Sequence, residues 1–231
     1  MRVYLLVMAV AAAATYLATP LAAELARVTR ATTPVRDRDV HTVPTPRLGG
    51  VAMLFGLLVA MALASQMPFL AGVFERPNQA LGVMAGAVLV CLLGAADDVW
   101  DLDWLTKLAG QVLAAGVMAW QGVQLITFPV FGLTIGSSRL SLVATILVVV
   151  ICINAVNFVD GLDGLAAGLT AIGGGAFFVY TYLLTRDATP TDFSNVATLV
   201  IAALVGVCLG FLPHNFNPAR IFMGDSGAML L

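Results

Sequence analysis

The chain has 231 residues, 60% of them hydrophobic and only 10% charged, with a mean hydropathy of +0.97. That balance excludes a soluble domain, and no nucleic-acid partner is expected. The formal net charge of −2 decides little, because where the charges fall matters more than their sum.

Charge-free, mostly apolar runs cover residues 3–23, 48–74, 77–96, 108–138, 140–159, 164–185 and 193–219. A hydrocarbon core about 30 Å thick needs roughly 20 helical residues, so each run can cross. An eighth run opens at Ser226 and breaks off at Leu231. So short a segment cannot span, and the natural protein is expected to continue past it. The expectation is an all-α fold, a polytopic transmembrane helical bundle with seven full spans and the start of an eighth. It forms one membrane domain over residues 1–231. A closed barrel would show ten-residue alternation, which is lacking here. Cys91, Cys152 and Cys208 each lie inside an apolar run without metal-ligand spacing, and read as small buried hydrophobes.

The connectors fix an orientation. Arg27, Arg30, Arg36, Arg38 and Arg47 crowd the first loop, which favours the cytoplasm. A cleaved leader would put that loop outside, so an uncleaved first helix with its N-terminus outside is the better reading. By alternation the loops near 97–107, 157–165 and 213–225 are also cytoplasmic. FERPNQ and TRDATPTD read as polar turns on the outer side, and residues 128–138 as a small hairpin.

Most acids fall on the inner side. DDVWDLD carries Asp97, Asp98, Asp101 and Asp103; NAVNFVDGLDGLAAG carries Asp160 and Asp163; GDSG carries Asp225. Asp101 and Asp103 read as solvated, and His41 and His214 as loop histidines. Asp225 stands directly before an apolar run, where an acid is costly and usually functional. Asn154, Asn157, Asp160 and Asp163 recur every third residue. On one continuous helix that spacing drifts about 60° per step, so the four would face partly into lipid. Gly161 and Gly164 imply that the helix stops near Asp160 and turns, aiming both carboxylates inward. Carboxylate and amide oxygens suit Mg²⁺ or Mn²⁺, and the absence of a Cys/His cluster disfavours zinc. A bound Mg²⁺ would let this acidic face accept a diphosphate, and nearby arginines can pair with phosphate.

Four segments carry a resemblance: TPRLGG, DDVWDLDWLTKLAGQ, NAVNFVDGLDGLAAG and GFLPHNFNPARIFMGDSGA. Together, in this order, they are similar to the polyprenyl-phosphate N-acetylhexosamine-1-phosphate transferases, which include the phospho-MurNAc-pentapeptide transferases. The last segment resembles the UDP-GlcNAc branch, in particular its actinobacterial decaprenyl-phosphate members. The resemblance implies a multi-pass plasma-membrane enzyme of cell-wall or surface-polysaccharide synthesis. It would move a sugar 1-phosphate from a UDP-sugar to a polyprenyl phosphate at the cytoplasmic face and release UMP, with Mg²⁺ as cofactor and a homodimer as an allowed assembly. It further implies that Asp225 binds the metal and that Asp97 and Asp98 lie beside metal and lipid phosphate. Asn157 and Asp160 would line the phosphates, with Leu162, Asp163, Asn215 and Phe222 around the uridine. Two departures stand out: Ala228 replaces a usual Ser, and the family's histidine-rich loop would fall beyond Leu231. The alternatives are a UDP-MurNAc-pentapeptide donor and, in another class, an ion or solute transporter. The transporter predicts acids at the bilayer midplane, not at one face.

Overall fold

The computed structural model describes residues 1–33, 44–75, 77–125, 137–188 and 194–231. It is helical nearly throughout, with one two-residue antiparallel pair of strands among the described residues.

Helix α1 (Arg2–Thr29) ends where Arg30 turns left-handed at φ 61° and the Ala31 N–H reaches the Ala26 carbonyl at 2.9 Å. Strands β1 (Thr32–Thr33) and β2 (Thr45–Pro46) pair next, and β2 leads into α2 (Gly49–Ser65). A 3₁₀ turn, Pro68–Leu70, and α3 (Ala71–Glu75) follow at 94° to α2. Pro68 stands at the first position of that turn, where the N–H it lacks has no helical partner anyway. Helix α4 (Pro77–Trp100) stops at Asp101, whose φ is 54°. Asp103 caps α5 (Trp104–Trp120), its carboxylate accepting the N–H groups of Leu105 and Thr106 at 3.1 Å each. Helices α6 (Ser138–Val159), α7 (Leu165–Ala188), α8 (Val196–Asn215) and the one-turn α9 (Gly224–Ala228) complete the chain.

Five of these helices are long and apolar enough to cross a membrane: α1, α4, α6, α7 and α8. The bent α2–α3 pair makes six if it is one span. The all-α membrane bundle expected from sequence is present, but this count is lower than seven. Helix α5 has only 17 residues, short of the roughly 20 that a hydrocarbon core requires. Residues 126–136 of its apolar run, and with them most of the expected hairpin at 128–138, lie outside the described residues. The expected outer turns and the first arginine loop lie partly outside them as well.

Helix α8 occupies the centre, with 56% of its apolar window buried, whereas α6 and α7 bury 17% each and turn apolar faces outward. Gly206 and Gly210 let α8 lie directly on α1: a Cβ at either would overlap the Met8 or Ala12 carbonyl. The main core joins α1, α2, α4, α7 and α8 through Tyr4, Met53, Ala87, Phe178 and Phe211. A smaller cluster of Val90, Ala114, Ile153 and Met229 joins α4, α5, α6 and α9. Cys91 and Cys208 are buried as expected; Cys152 is exposed, because it falls on the unpartnered side of the lightly packed α6.

A candidate active site at one end of the bundle

The C-terminal ends of α4 and α6 meet at one end of the bundle, close to the end of α8, and α9 is wedged between α4 and α2 beside α6. Helix α6 stops at Val159 with Asp160 as its cap, and Gly164 turns the chain at φ +71° into α7. The helix end inferred from the three-residue spacing is therefore where the chain turns. Asn154 stays within α6 and donates to the side-chain oxygen of buried Gln111 on α5 at 2.7 Å.

The centre of the constellation is a cation between two acids. Lys107 Nζ lies 2.5 Å from Asp97 Oδ2 and 3.1 Å from Asp225 Oδ2. Asp97 Oδ1 also accepts the Leu102 N–H at 2.8 Å, which closes the α4–α5 turn. Asn157, on α6, lies near enough to the Asp225 carboxylate to favour its charged form. Asp98 faces the backbone: its Oδ1 accepts the Asp225 N–H at 3.0 Å and its Oδ2 the Ser226 N–H at 3.1 Å. Asp160 completes the group. Burial, reinforced by the charges of Asp225 and Asp98, pushes its carboxyl up to about 7.

A second, adjacent patch is built from the α6–α7 turn and the loop after α8. Asp163 Oδ2 accepts from the Asn217 side chain and from the Ala219 N–H, both at 3.0 Å. Asn215 is buried; its oxygen accepts the Gly164 N–H at 3.1 Å and its amide donates to the Ile221 carbonyl at 3.0 Å. Phe222 is half-buried, and its backbone is stitched to Pro46 and Gly49. Leu162 is 69% exposed on the turn above. The expected site residues thus fall into two neighbouring groups. Asp97 and Asp225 pair with one cation, Asn157 and Asp160 lie near Asp225, and Asp98 holds its backbone, while Asp163, Asn215 and Phe222 order the adjoining loop. Asp101 and Asp103 are exposed, as read from sequence.

Sequence reasoning missed Lys107 as a member of the site and missed Gln111. The available signal was a lone cation directly before an apolar run, four residues after the Asp103 cap.

The donor set suits a hard divalent cation. Two carboxylates, those of Asp97 and Asp225, already converge on one positive charge. No group of three or more His, Cys, Asp or Glu that could hold a metal stands among the described residues, so an all-protein cage is not what these residues form. Magnesium commonly binds through one or two carboxylates and keeps waters or substrate phosphates, which fits so open a set.

The chain is 43% identical over 96% of its length to the decaprenyl-phosphate N-acetylglucosaminephosphotransferase of Mycobacterium leprae and 44% identical over 96% to that of Mycolicibacterium smegmatis. It is 33% identical over 84% of its length to a phospho-N-acetylmuramoyl-pentapeptide-transferase of Desulforudis audaxviator. It spans 56%, 55% and 61% of these relatives, respectively. Residues 80–231 match the family model described as glycosyl transferase family 4, a stretch that holds the whole acidic constellation. Family match, identity across nearly the entire chain and the clustered acids agree, and the chain belongs to glycosyl transferase family 4.

Proposed function

We propose that the protein transfers GlcNAc-1-phosphate from UDP-GlcNAc to a polyprenyl phosphate, releasing UMP, in cell-wall or surface-polysaccharide synthesis. Decaprenyl phosphate is the acceptor suggested by the names of the mycobacterial relatives. The observation that carries the reading is the pairing of Asp97 and Asp225 with Lys107, with Asn157 and Asp160 near Asp225, at one end of an apolar bundle. One substrate is dissolved in water and the other is held in lipid, so the chemistry belongs where the bundle meets water.

Each residue then has a task. Magnesium, when bound, supplies charge neutralisation for the diphosphate. Asp225 would hold it, with Asp97 beside it. Lys107 turns its ammonium from the carboxylates to a phosphate oxygen. The acceptor phosphate has a second pKa of about 6 and is largely dianionic at pH 7. Asp97 therefore positions that phosphate; it has little need to remove a proton. Asn157 and Asp160 line the phosphates. Leu162, Asp163, Asn215 and Phe222 frame the uridine, Phe222 offering a ring face. Catalysis by positioning and electrostatics suits phosphoryl transfer generally.

The membrane arrangement that accompanies this reading has seven full spans and the start of an eighth, with the N-terminus outside and the site facing the cytoplasm. The count rests on the charge-free apolar runs and the orientation on the arginines between the first two of them. In the test, purified protein with UDP-GlcNAc, decaprenyl phosphate and Mg²⁺ releases UMP, and Asp225→Asn lowers the rate by about 100-fold or more. An unchanged rate in that variant rejects the metal role of Asp225. A preference for UDP-MurNAc-pentapeptide in a side-by-side assay rejects the donor.

A further inference from the structure

Asp98 is 7% exposed and lies next to Asp97 in the chain, yet it makes no contact with Lys107 among the ion pairs of the site. Its oxygens receive the backbone N–H groups of Asp225 and Ser226 at 3.0 and 3.1 Å. A one-turn helix has no length to stabilise itself, because nucleation is the costly step of helix formation. Helix α9 is such a helix, with five residues and no side-chain cap of its own. Asp98 supplies the missing cap from α4, with a full charge on two orphan amides.

The surroundings leave the turn little freedom. A Cβ at Gly94 on α4 would overlap the backbone of Asp225 and Ser226, and one at Gly50 on α2 would overlap Ser226 and Gly227. Gly224, at φ +68°, passes so close to Asp98 and the Arg47 carbonyl that a side chain there would meet both. The Gly50 N–H bonds the Met223 carbonyl at 2.9 Å from the other side. The turn is thus pressed between two helices and fastened by one carboxylate. Both oxygens that fasten it are engaged by the turn, and the burial of the side chain shields what acceptor capacity they have left.

We propose that Asp98 is a positioning residue: it grips the Asp225–Ser226 turn by two backbone amides and so aims the Asp225 carboxylate, and it contacts neither metal nor phosphate. The inference rests on the reading of Asp225 given under Proposed function. The sequence-level expectation that the neighbouring acids share one task then splits. Asp97 faces the cation, and Asp98 holds the residue that faces it.

Two measurements test this, the first independent of catalysis. Hydrogen exchange followed by mass spectrometry, on purified protein in EDTA, reads the turn itself. Wild-type peptides covering residues 222–229 exchange slowly with no metal or substrate present. Asp98→Asn replaces one acceptor oxygen with a donor and speeds their exchange by about tenfold, the effect of losing one charge-assisted hydrogen bond. Peptides from α1 and α8 stay as in wild type. If the 225 and 226 amides of the wild type exchange as fast as those of the exposed Asp101–Asp103 loop, the proposal is overturned, and this holds even if the variant does not fold.

The second measurement is kinetic. In Asp98→Asn the Mg²⁺ concentration for half-maximal UMP release rises by about 10–100-fold, the usual effect of removing a group that orients a metal ligand. KM for the polyprenyl phosphate stays unchanged. A raised lipid KM with an unchanged Mg²⁺ requirement assigns Asp98 to the phosphate and overturns the proposal. If the wild type releases no UMP under any condition, the function proposed above fails, and the exchange experiment still decides the role of Asp98.

Discussion

Asp160 sits one residue past the end of α6, and its carboxyl is pushed up to about 7 by burial, then by Asp225 and Asp98. Free in an unfolded chain it titrates near 3.9. Between those values the folded protein holds a proton that the unfolded chain has lost. The stability this contributes is complete below about pH 4 and drains away as pH rises toward 7. Asp160→Asn cannot titrate. In EDTA, the melting temperature of the wild type relative to Asp160→Asn should fall steadily from pH 4.5 to 7 and level off above; a flat difference would rule the burial out. Residues of this kind were legible in the sequence: an acid before a glycine, at the close of an apolar run, has few places to go. Lys107 was not, because a lone cation near a helix start reads equally well as a solvated end. Its meaning depends on Asp225, 118 residues away. Nor could the sequence separate Asp97 from Asp98, since adjacent side chains on a helix point about 100° apart and only the neighbours show which faces the cation.

The joint between α1 and α8 shows the same dependence one level up. Pro20 lies inside α1 and has no N–H, so the Tyr16 carbonyl one turn earlier loses its helical partner. In a membrane span that loss is serious, because lipid offers no replacement. His214 Nε2, at the end of α8, stands 3.2 Å from that carbonyl, and its ring packs against Tyr16 at 4.7 Å. A carbonyl only accepts, so Nε2 carries the proton. His214 was read as a loop histidine; it is the patch for a proline nearly two hundred residues earlier in the chain. His214→Phe keeps the ring and removes the donor, and should cost about 1–3 kcal/mol of stability. Pro20→Ala restores the helical N–H. In that background the same His214→Phe change should cost less than half as much by thermal unfolding, and equal costs in both backgrounds would dismiss the pairing. The ends of α6 and of the first run were legible because glycines and charges punctuate them. The bend at Pro68 and the shortness of α5 were not, since uniform hydropathy conceals both breaks.

At the scale of the whole molecule, hydropathy alone revealed a bundle of membrane helices, because every apolar run must bury or face lipid and a helix satisfies its own backbone. Which helix occupies the centre was not legible. Helix α8 holds that place through Gly206 and Gly210, whose closeness to α1 is a property of the pair and not of either sequence. Orientation can be examined separately from chemistry. Arg139 begins α6, Asp160 ends it, and the 22 residues of α6 rise about 33 Å. Arg220 lies in the loop gripped by Asp163, next to that far end. The two arginines are therefore at opposite ends of the bundle, whichever way it sits. With Cys91, Cys152 and Cys208 replaced by alanine, a single cysteine at Arg139 should react with a membrane-impermeant maleimide on intact cells. One at Arg220 should react only after the membrane is opened. Labelling of the second and not the first would invert the bundle and place the acidic site on the wrong side for a cytoplasmic nucleotide sugar. Labelling of both before opening would deny that α6 crosses at all. The arginine-rich segment between α1 and α2 argues for the first pattern, since positive charge near a span resists transfer to the outer side.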